Sequence, residues 1–465
     1  MKDEQRICRR DFVNQCAHRA MIRLAITCAG VLIAVTTTLV AQSVFPTGTT
    51  RYDPKKAFNS FVLFTSDAAA RLIDMNGNLV HEWKNAADLT TLIDPALTSA
   101  RRGHVLVTLT MANEAGTDLT PGATGRAAQT IGELDWEGKT VWTFGEKAPD
   151  QLARQHHDWA RLPSGNTLVL STLMHPIAGF KQPVLRDDVI YEVNHVGEIV
   201  WTWIAGDHLL ELGFTPEELK LVRETPDPDY LHLNSMKPLG PNRWFMAGDQ
   251  RFHPDNVIIS SREANIVAII DRKTGKIVWT LGPTHSSDPP GSRRVPRPVD
   301  RTSGQHDPHL IPEGLPGAGH LLVFDNEGPA GYPNLPLAVI GGSRVLEIDP
   351  VKKEIVWQYS GEDSGGPGWS FRSTHISNAR RLPNGNTFID EGQKGRLLQV
   401  TPDGEIVWEY VNAYPRRGKD PRTGRATASY QLYRGQPIPY DWVPAGTPHS
   451  ETPVTPPENS GFRVP

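Results

Sequence analysis

Hydrophobic and polar residues alternate along six segments of the chain, and each segment ends in a strand that contains a tryptophan. Each segment reads as a strand, a turn of two to four residues rich in Gly and Asp, and a second strand. This pattern is typical of a β-hairpin. The tryptophans, spaced by 59, 59, 78, 78 and 51 residues, are Trp83, Trp142, Trp201, Trp279, Trp357 and Trp408.

A second alternating hairpin precedes several of these segments, as in HDWARLPSGNTLVLST from His157 and THISNARRLPNGNTFIDEG from Thr374. Two hairpins make one four-stranded antiparallel blade, and blades repeated around an axis make a β-propeller with short, protected edges. We therefore predict an all-β fold, a six-bladed β-propeller over residues 60–443. The tryptophans are expected to pack between the blades, because a large ring fills the space between two sheets well.

The first blade lacks one strand in the sequence pattern, since residues 60–83 supply only three. The segment Ser429–Val443 is a candidate for the fourth. A ring closed by this C-terminal segment would leave no open sheet edge at the seam. The remaining residues 444–465 are rich in proline and are predicted to form an extended tail.

Residues 1–41 have the pattern of a signal peptide. Basic residues precede the apolar run LAITCAGVLIAVTTTLV, and Ala41 is a small residue suited to cleavage. The alternative is a retained membrane anchor, although 17 residues is short for a span. We expect an exported protein, periplasmic or secreted, with residues 42–59 as a lead-in to the propeller.

Composition and charge narrow the possible functions. The three cysteines, Cys8, Cys16 and Cys28, all lie in the predicted signal peptide, so thiolate chemistry and cysteine-based zinc sites are excluded for the mature domain. Removal of residues 1–41, with six basic and three acidic groups, changes the formal net charge from −4 to −4 − 3 = −7. This charge gives no basic surface for nucleic acid, and no membrane contact is expected of the mature domain.

Four histidines precede the turns of successive hairpins at odd offsets. His157 and His306 lie five residues before an apolar residue at the turn, and His232 and His375 lie seven before one. Because side chains alternate between the faces of a strand, equal parity predicts that the four imidazoles gather at the central channel. His156 and His309, of opposite parity, are expected to point elsewhere; the alternative is four unrelated polar residues at strand starts.

Further polar residues near these histidines could bind an anion or a polar substrate. Arginine offers planar, permanently charged donors for an oxyanion, and neutral imidazole can act as nucleophile or as general acid and base. The candidates are Asn234, Arg262, Asp325, Asn326, Arg344 and Arg372.

The motifs YLHLNSM, SSR…IID…TGKIVWTLG, GQHD…VFDN and SRVLEID…VWQY resemble the bacterial arylsulfotransferase family. The resemblance implies a six-bladed propeller of the bacterial envelope that moves a sulfo group from a phenolic sulfate to a phenolic acceptor. It implies a sulfated histidine, ping-pong kinetics, and neither a nucleotide nor another cofactor. His232 and His306 match two active-site histidines of the family. For the sulfo-accepting residue we favour His375 over His306, and Arg344 is the nearest candidate for the clamping arginine.

Two other functions fit parts of the pattern. IDRKTGKIVW is similar to the tryptophan-docking repeat of quinone-dependent dehydrogenases, although that fold needs about eight repeats. The third hypothesis is a non-catalytic propeller scaffold whose histidines are structural or bind a metal.

Overall fold

The computed structural model describes residues 46–99, 101–111, 128–283, 297–298, 301–334, 341–420 and 422–456. The predicted signal peptide lies outside these residues. No helix in the described part of the chain is long and apolar enough to cross a membrane. Within the described residues the α-helices are α1 (Pro216–Glu224) and α2 (Arg243–Met246). Short 3-10 helices span Pro95–Leu97, Pro149–Gln151, Ala205–Glu211, Gln250–Phe252, Gly361–Ser364, Gly368–Ser370, Gly392–Lys394 and Tyr440–Trp442.

Strands dominate the chain, as alternation of apolar and polar residues requires. The first half contains β1 (Gly48–Tyr52), β2 (Phe61–Ser66), β3 (Ala69–Ile73), β4 (Leu79–Lys84), β5 (Ala87–Leu92), β6 (Val105–Met111), β7 (Ala128–Leu134), β8 (Thr140–Phe144), β9 (Gln155–Arg161), β10 (Thr167–His175), β11 (Leu185–Val193), β12 (Ile199–Ile204) and β13 (Leu233–Pro238). The second half contains β14 (Val257–Ser261), β15 (Ile266–Ile270), β16 (Ile277–Leu281), β17 (Arg297–Pro298), β18 (His306–Leu310), β19 (Leu321–Asp325), β20 (Arg344–Asp349), β21 (Glu354–Tyr359), β22 (Asn378–Arg381), β23 (Thr387–Glu391), β24 (Arg396–Val400), β25 (Ile406–Val411), β26 (Arg416–Lys419), β27 (Ala426–Ser429) and β28 (Gly435–Ile438).

The strands form antiparallel sheets with the β-propeller architecture predicted from the sequence. Four sheets have four or five strands, in the orders β28-β2-β3-β4, β13-β14-β15-β16, β17-β21-β20-β19-β18 and β1-β25-β24-β23-β22. A further sheet has eight strands, and β26 and β27 form a separate hairpin. The sequence predicted uniform four-stranded sheets instead. The eight-stranded sheet arises because β7 pairs with β9 at one position, Ala128 opposite Gln155, which joins β5–β8 to β9–β12.

Both ends of the described chain pair with strands distant in sequence. Within the predicted C-terminal strand, Ser429–Val443, the residues Gly435–Ile438 form β28, which lies antiparallel to β2, and Ser429 is the last residue of β27. The predicted lead-in contributes β1, which pairs with β25. Val454 in the predicted tail exchanges two backbone hydrogen bonds with Tyr52, at 2.8 and 2.9 Å. These contacts hold the described part of the tail against β1.

Tryptophans on outer strands make hydrogen bonds to residues distant in sequence. Their indole N–H groups donate to backbone carbonyls in the turns that follow β7, β11, β15, β20, β24 and β3. The pairs are Trp83–Asp135, Trp142–Asn194, Trp203–Gly275, Trp279–Pro350, Trp357–Pro402 and Trp408–Met75, at 2.7–3.1 Å. The sequence pattern predicted Trp201 for the equivalent position, but Trp203 makes this hydrogen bond. The two share a face because they are two residues apart, and Trp201 packs beneath Arg272 instead, at 4.8 Å.

Candidate active site

The starts of the inner strands contain residues in the left-handed backbone region. These are His157 (φ 56°), His232 (φ 49°), Asp307 (φ 56°) and Ile376 (φ 57°). Each is one of the four predicted histidines or directly follows one. A left-handed residue other than glycine costs about 1–3 kcal/mol and persists only where its surroundings hold it, often at functional sites. Left-handed backbone therefore occurs at or directly beside all four predicted histidines.

His157 and His232 are in direct contact. Their ring centroids are 4.6 Å apart in an edge-to-face arrangement. Burial, followed by the imidazoles of His232 and His156, holds the pKa of His157 well below its usual value. The prediction that His156 points elsewhere is wrong, because its Nδ1 lies 2.8 Å from Nδ1 of His157. Its Nε2 lies 3.3 Å from Asp188, so His156 connects the histidine pair to a buried carboxylate.

His232 forms an ion pair with Asp229, a residue that was not predicted from the sequence. Nδ1 of His232 donates to a carboxylate oxygen of Asp229 at 2.7 Å. Burial lowers the pKa of His232, but the Asp229 carboxylate outweighs this effect, and the net pKa is raised. The pKa of Asp229 is itself lowered to about 2, because His232 and Arg186 offset the effect of burial. The Asp229 carboxylate therefore favours the protonated form of the His232 imidazole.

His306 is a buried, neutral imidazole. Its Nδ1–H faces the side-chain oxygen of Asn326 at 2.7 Å and the Gly304 carbonyl at 2.9 Å. Its Nε2 accepts a hydrogen bond from the backbone N–H of Ile376 at 3.2 Å. These bonds fix the tautomer with the proton on Nδ1. Burial lowers the pKa of His306 to about 3, although the bond to Asn326 acts in the opposite direction.

His375 lies in the loop that His306 and Asn326 hold. The Asn326 amide donates to the carbonyls of Ser373 and Ile376, at 2.7 and 2.8 Å. The Ser373 hydroxyl donates to the His375 carbonyl at 2.8 Å. Nδ1 of His375 lies 3.4 Å from the Thr374 hydroxyl, which can fix the ring tautomer. Burial and then Arg262 lower the pKa of His375, so its neutral form is favoured.

The three predicted arginines have different surroundings. Arg262 forms an ion pair with Glu263, and its charge lowers the pKa of His306 and of His375. Arg344 is held by Asp325, with its closest nitrogen at 2.6 Å, and by a second carboxylate. Arg372 donates to the Gly341 carbonyl at 3.1 Å. Of the three, Arg262 acts on the histidines, whereas Arg344 lies in an ion-pair network.

The predicted Asn234 and Asp325 make contacts within the protein. The Asn234 amide donates to the Gln305 carbonyl at 2.8 Å, and its side-chain oxygen is buried without a partner among the described residues. Asp325 accepts the backbone N–H of Ser303 at 2.9 Å. Nδ1 of His309 lies 3.0 Å from the Asp307 carbonyl. In the part of the chain that the structure describes, no group of three or more His, Cys, Asp or Glu side chains is arranged to hold a metal ion.

Comparison with known proteins identifies the family. The sequence model of the arylsulfotransferase family (ASST) matches residues 49–412. No curated protein matches the chain. Solved structures with a similar fold include a protein of unknown function from Bacteroides caccae, with 13% identity, coverage of 82% of this chain and 99% of that one, and a TM-score of 0.45. A virginiamycin B lyase from Staphylococcus aureus has 14% identity, coverage of 82% and 91%, and a TM-score of 0.37.

The chain belongs to the arylsulfotransferase family, since the match covers more than half of its length. It is therefore a sulfotransferase, and its substrates are phenolic compounds.

Proposed function

We propose that the enzyme transfers a sulfo group from a phenolic sulfate to a phenolic acceptor through a sulfated His375, without a nucleotide. One observation carries this proposal: the charge of Arg262 acts on His232, His306 and His375 together, and among these the pKa of His232 is raised while the pKa values of His306 and His375 are lowered. Environments that push the pKa values of neighbouring groups apart provide an acid and a nucleophile at the same pH. His375 supplies the neutral nitrogen and His232 the proton.

In the first half reaction, Nε2 of His375 attacks the sulfur of the donor. The bond between sulfur and the phenolic oxygen breaks, and the oxygen keeps the electron pair. His232 then gives its proton to this phenolate. Arg262 binds the sulfo oxygens, where charge is spread in the transition state, as arginine does in phosphoryl transfer.

In the second half reaction, the neutral His232 accepts the proton of the acceptor phenol. The phenolic oxygen attacks sulfur, the nitrogen–sulfur bond breaks, and its electron pair returns to His375. No electrons are gained or lost overall. His306 and Asn326 act as positioning residues, because they bind the backbone on both sides of His375.

We also infer that the propeller is a ring of six blades. The eight-stranded sheet divides into β5–β8 and β9–β12, which meet at a single pair. With these as two blades, the tryptophan hydrogen bonds run from each blade to the next and return from Trp408 to Met75. Hydrophobic clusters likewise lie between successive units, including one that packs Phe64 with Phe388 and Trp408. We infer that β28 closes this ring.

We also infer that the enzyme is exported from the cytoplasm, because residues 1–41 have the pattern of a signal peptide.

The direct test uses 4-nitrophenyl sulfate. With a phenolic acceptor, the wild-type enzyme should release nitrophenol, and the dependence of the rate on donor and acceptor concentrations should follow ping-pong kinetics. With the donor alone, intact-mass analysis should find one sulfo group on a peptide that contains His375. His375→Asn should abolish the adduct and both half reactions, whereas His253→Asn, at an exposed histidine, should change neither. An adduct that persists in His375→Asn would assign the nucleophile elsewhere, with His306 as the next candidate.

A further inference from the structure

Arg434 is a buried cation at the start of the C-terminal strand. One of its terminal nitrogens lies 2.8 Å from Asp158 and 3.5 Å from Asp307. The other donates to the backbone carbonyl of Asn234 at 2.9 Å. Only 8% of the residue is exposed. A single guanidinium therefore joins the inner strands β9, β13 and β18.

The three acceptors of Arg434 lie beside three of the active-site histidines. Asp158 directly follows His157, and Asp307 directly follows His306. Asn234 is two residues after His232. These acceptors lie at or within two residues of the left-handed positions of β9, β13 and β18. Arg434 thus contacts groups that lie one or two residues after these three histidines.

Tyr433 extends these contacts to the fourth histidine. Its ring lies 5.7 Å from the ring of His157, edge to face. Its hydroxyl donates to the Asn234 carbonyl at 3.3 Å. Its own carbonyl accepts the backbone N–H of Ser377 at 3.3 Å, and Ser377 is two residues after His375. Two consecutive residues therefore touch all four histidine-bearing inner segments.

We propose that Tyr433 and Arg434 are positioning residues for sulfo transfer, which hold the inner strands of four blades so that the histidines meet one substrate. This proposal rests on the proposed function above. It goes beyond the family assignment, because the family match ends at residue 412. The C-terminal strand would then serve the active site as well as the fold.

The chemistry of arginine suits this role. A planar guanidinium presents several donors in fixed directions, whereas an ammonium is a point charge and cannot reproduce this arrangement. Asp158 also contacts Lys237 at 2.6 Å, and Asp307 also pairs with Arg380. Each carboxylate therefore keeps one cation when Arg434 is replaced. What the replacement removes is the connection between the strands.

The test compares Arg434→Met with Arg381→Met in the full-length enzyme. Arg381 is a matched control, because it forms a buried ion pair with Glu347 at 2.6 Å between neighbouring sheets. We expect Arg434→Met to lower the rate of the first half reaction about 10²-fold, since a misplacement of about 1 Å can have this effect. The KM for the donor should change much less. Arg381→Met should lower the thermal midpoint and leave both values near those of the wild type.

A second readout does not depend on activity. In protein labelled with ¹⁵N at histidine, the ring signals of His157 and His306 should shift in Arg434→Met and stay in place in Arg381→Met. Unchanged ring signals and an unchanged rate in folded Arg434→Met would overturn the proposal. So would an equal loss of rate in both variants, because general destabilisation would then explain it.

A third variant covers the case in which Arg434→Met does not fold. Arg434→Lys keeps the charge beside the two carboxylates, and we expect a loss of about tenfold in rate because one ammonium cannot reach all three acceptors. A wild-type rate in Arg434→Lys would refute the role of the guanidinium. If the wild-type enzyme itself transfers no sulfo group, the proposed function fails, while the ring signals still decide whether Arg434 positions the histidines.

Discussion

The indole N–H of Trp408 donates to the backbone carbonyl of Met75 at 2.7 Å, across 333 residues of sequence. This bond joins the sheet that contains β25 to the sheet that contains β2. Trp408 is fully buried and stacks on Tyr410, with ring centroids 6.2 Å apart. It belongs to a set of equivalent bonds, but its surroundings are less exposed than those of Trp357, whose bond to Pro402 lies at the surface.

Replacement of Trp408 by phenylalanine should therefore destabilise the fold more than the same change at Trp357. Trp408→Phe removes the indole donor of the Met75 carbonyl, which keeps the Thr49 hydroxyl at 3.1 Å, and it shortens a fully buried side chain. The lost hydrogen bond and the lost packing together should cost about 1–3 kcal/mol. Water can replace the donor at Pro402, so Trp357→Phe should cost less than about 1 kcal/mol. Denaturant unfolding followed by circular dichroism measures both values. Equal losses would mean that burial of the bond is unimportant.

The propeller architecture was predictable because alternation and turn residues repeat along the chain, whereas the strand register was not. Parity predicts the face of a side chain only where alternation is unbroken from the turn back to the histidine. The inner strands instead contain irregular pairings, between Gln155 and Trp159 in β9, between His306 and His309 in β18, and between Leu233 and Ser235 in β13. An extra residue in one strand reverses the pleat beyond it. Counting parity therefore misassigned His156, and sequence alone does not reveal the left-handed residues at or beside the four histidines.

Removal of the Asp229 carboxylate should alter the pH dependence of the reaction. Asp229 raises the pKa of His232 against the effects of burial and of Arg262. In Asp229→Asn the pKa of His232 falls, so the protonated acid is lost at a lower pH. The alkaline limb of the rate profile for the first half reaction should move to lower pH, with the largest losses for poor leaving groups.

The matched control for this experiment is Asp255→Asn, at an exposed carboxylate 3.9 Å from His253. It should leave the profile unchanged. An alkaline limb that stays in place in Asp229→Asn would remove His232 from the role of acid.

Acid should destabilise the enzyme partly through His309. Burial and then Arg380 lower its pKa to about 4, against about 6.5 in the unfolded chain. Between these values the unfolded chain binds more protons than the folded one, so stability falls as the pH decreases from about 6.5 to 4. Asp307 and Lys237 also face this imidazole, and the net direction includes both.

His309→Gln should remove this contribution. The slope of the unfolding free energy against pH should become shallower by up to about 1.4 kcal/mol per pH unit. Urea unfolding at several pH values gives the slope, and His253→Gln, at an exposed position, should leave it unchanged. A slope that does not change in His309→Gln would mean that this residue is protonated without a cost in the folded state.

The residue types of the candidate site were more predictable from the sequence than the residues that each of them contacts. The repeated histidines could be read from hairpin spacing, and Asp229 lies only three residues before His232 in DPDYLH, close enough in sequence to indicate the pair. Tyr433 and Arg434 are more than 50 residues from the last of the four histidines, and only the pairing of β28 with β2 brings their segment into the sheet. No local pattern encodes such a contact. The ion pair of Arg344 with Asp325 was equally invisible, since the two lie on neighbouring strands.

Arg262 should contribute to binding of the sulfo group. Its charge acts on His306 and His375, and burial raises the pKa of its partner Glu263. A hydrogen bond to a charged group contributes about 1.5–3 kcal/mol. Arg262→Met should therefore raise the KM for 4-nitrophenyl sulfate by about 10–100-fold and weaken inhibition by inorganic sulfate in parallel. Arg251→Met, at an exposed arginine paired with Asp249, should change neither value. If sulfate inhibits Arg262→Met as strongly as the wild type, the anion binds elsewhere, and Arg344 would have to leave Asp325 to hold it.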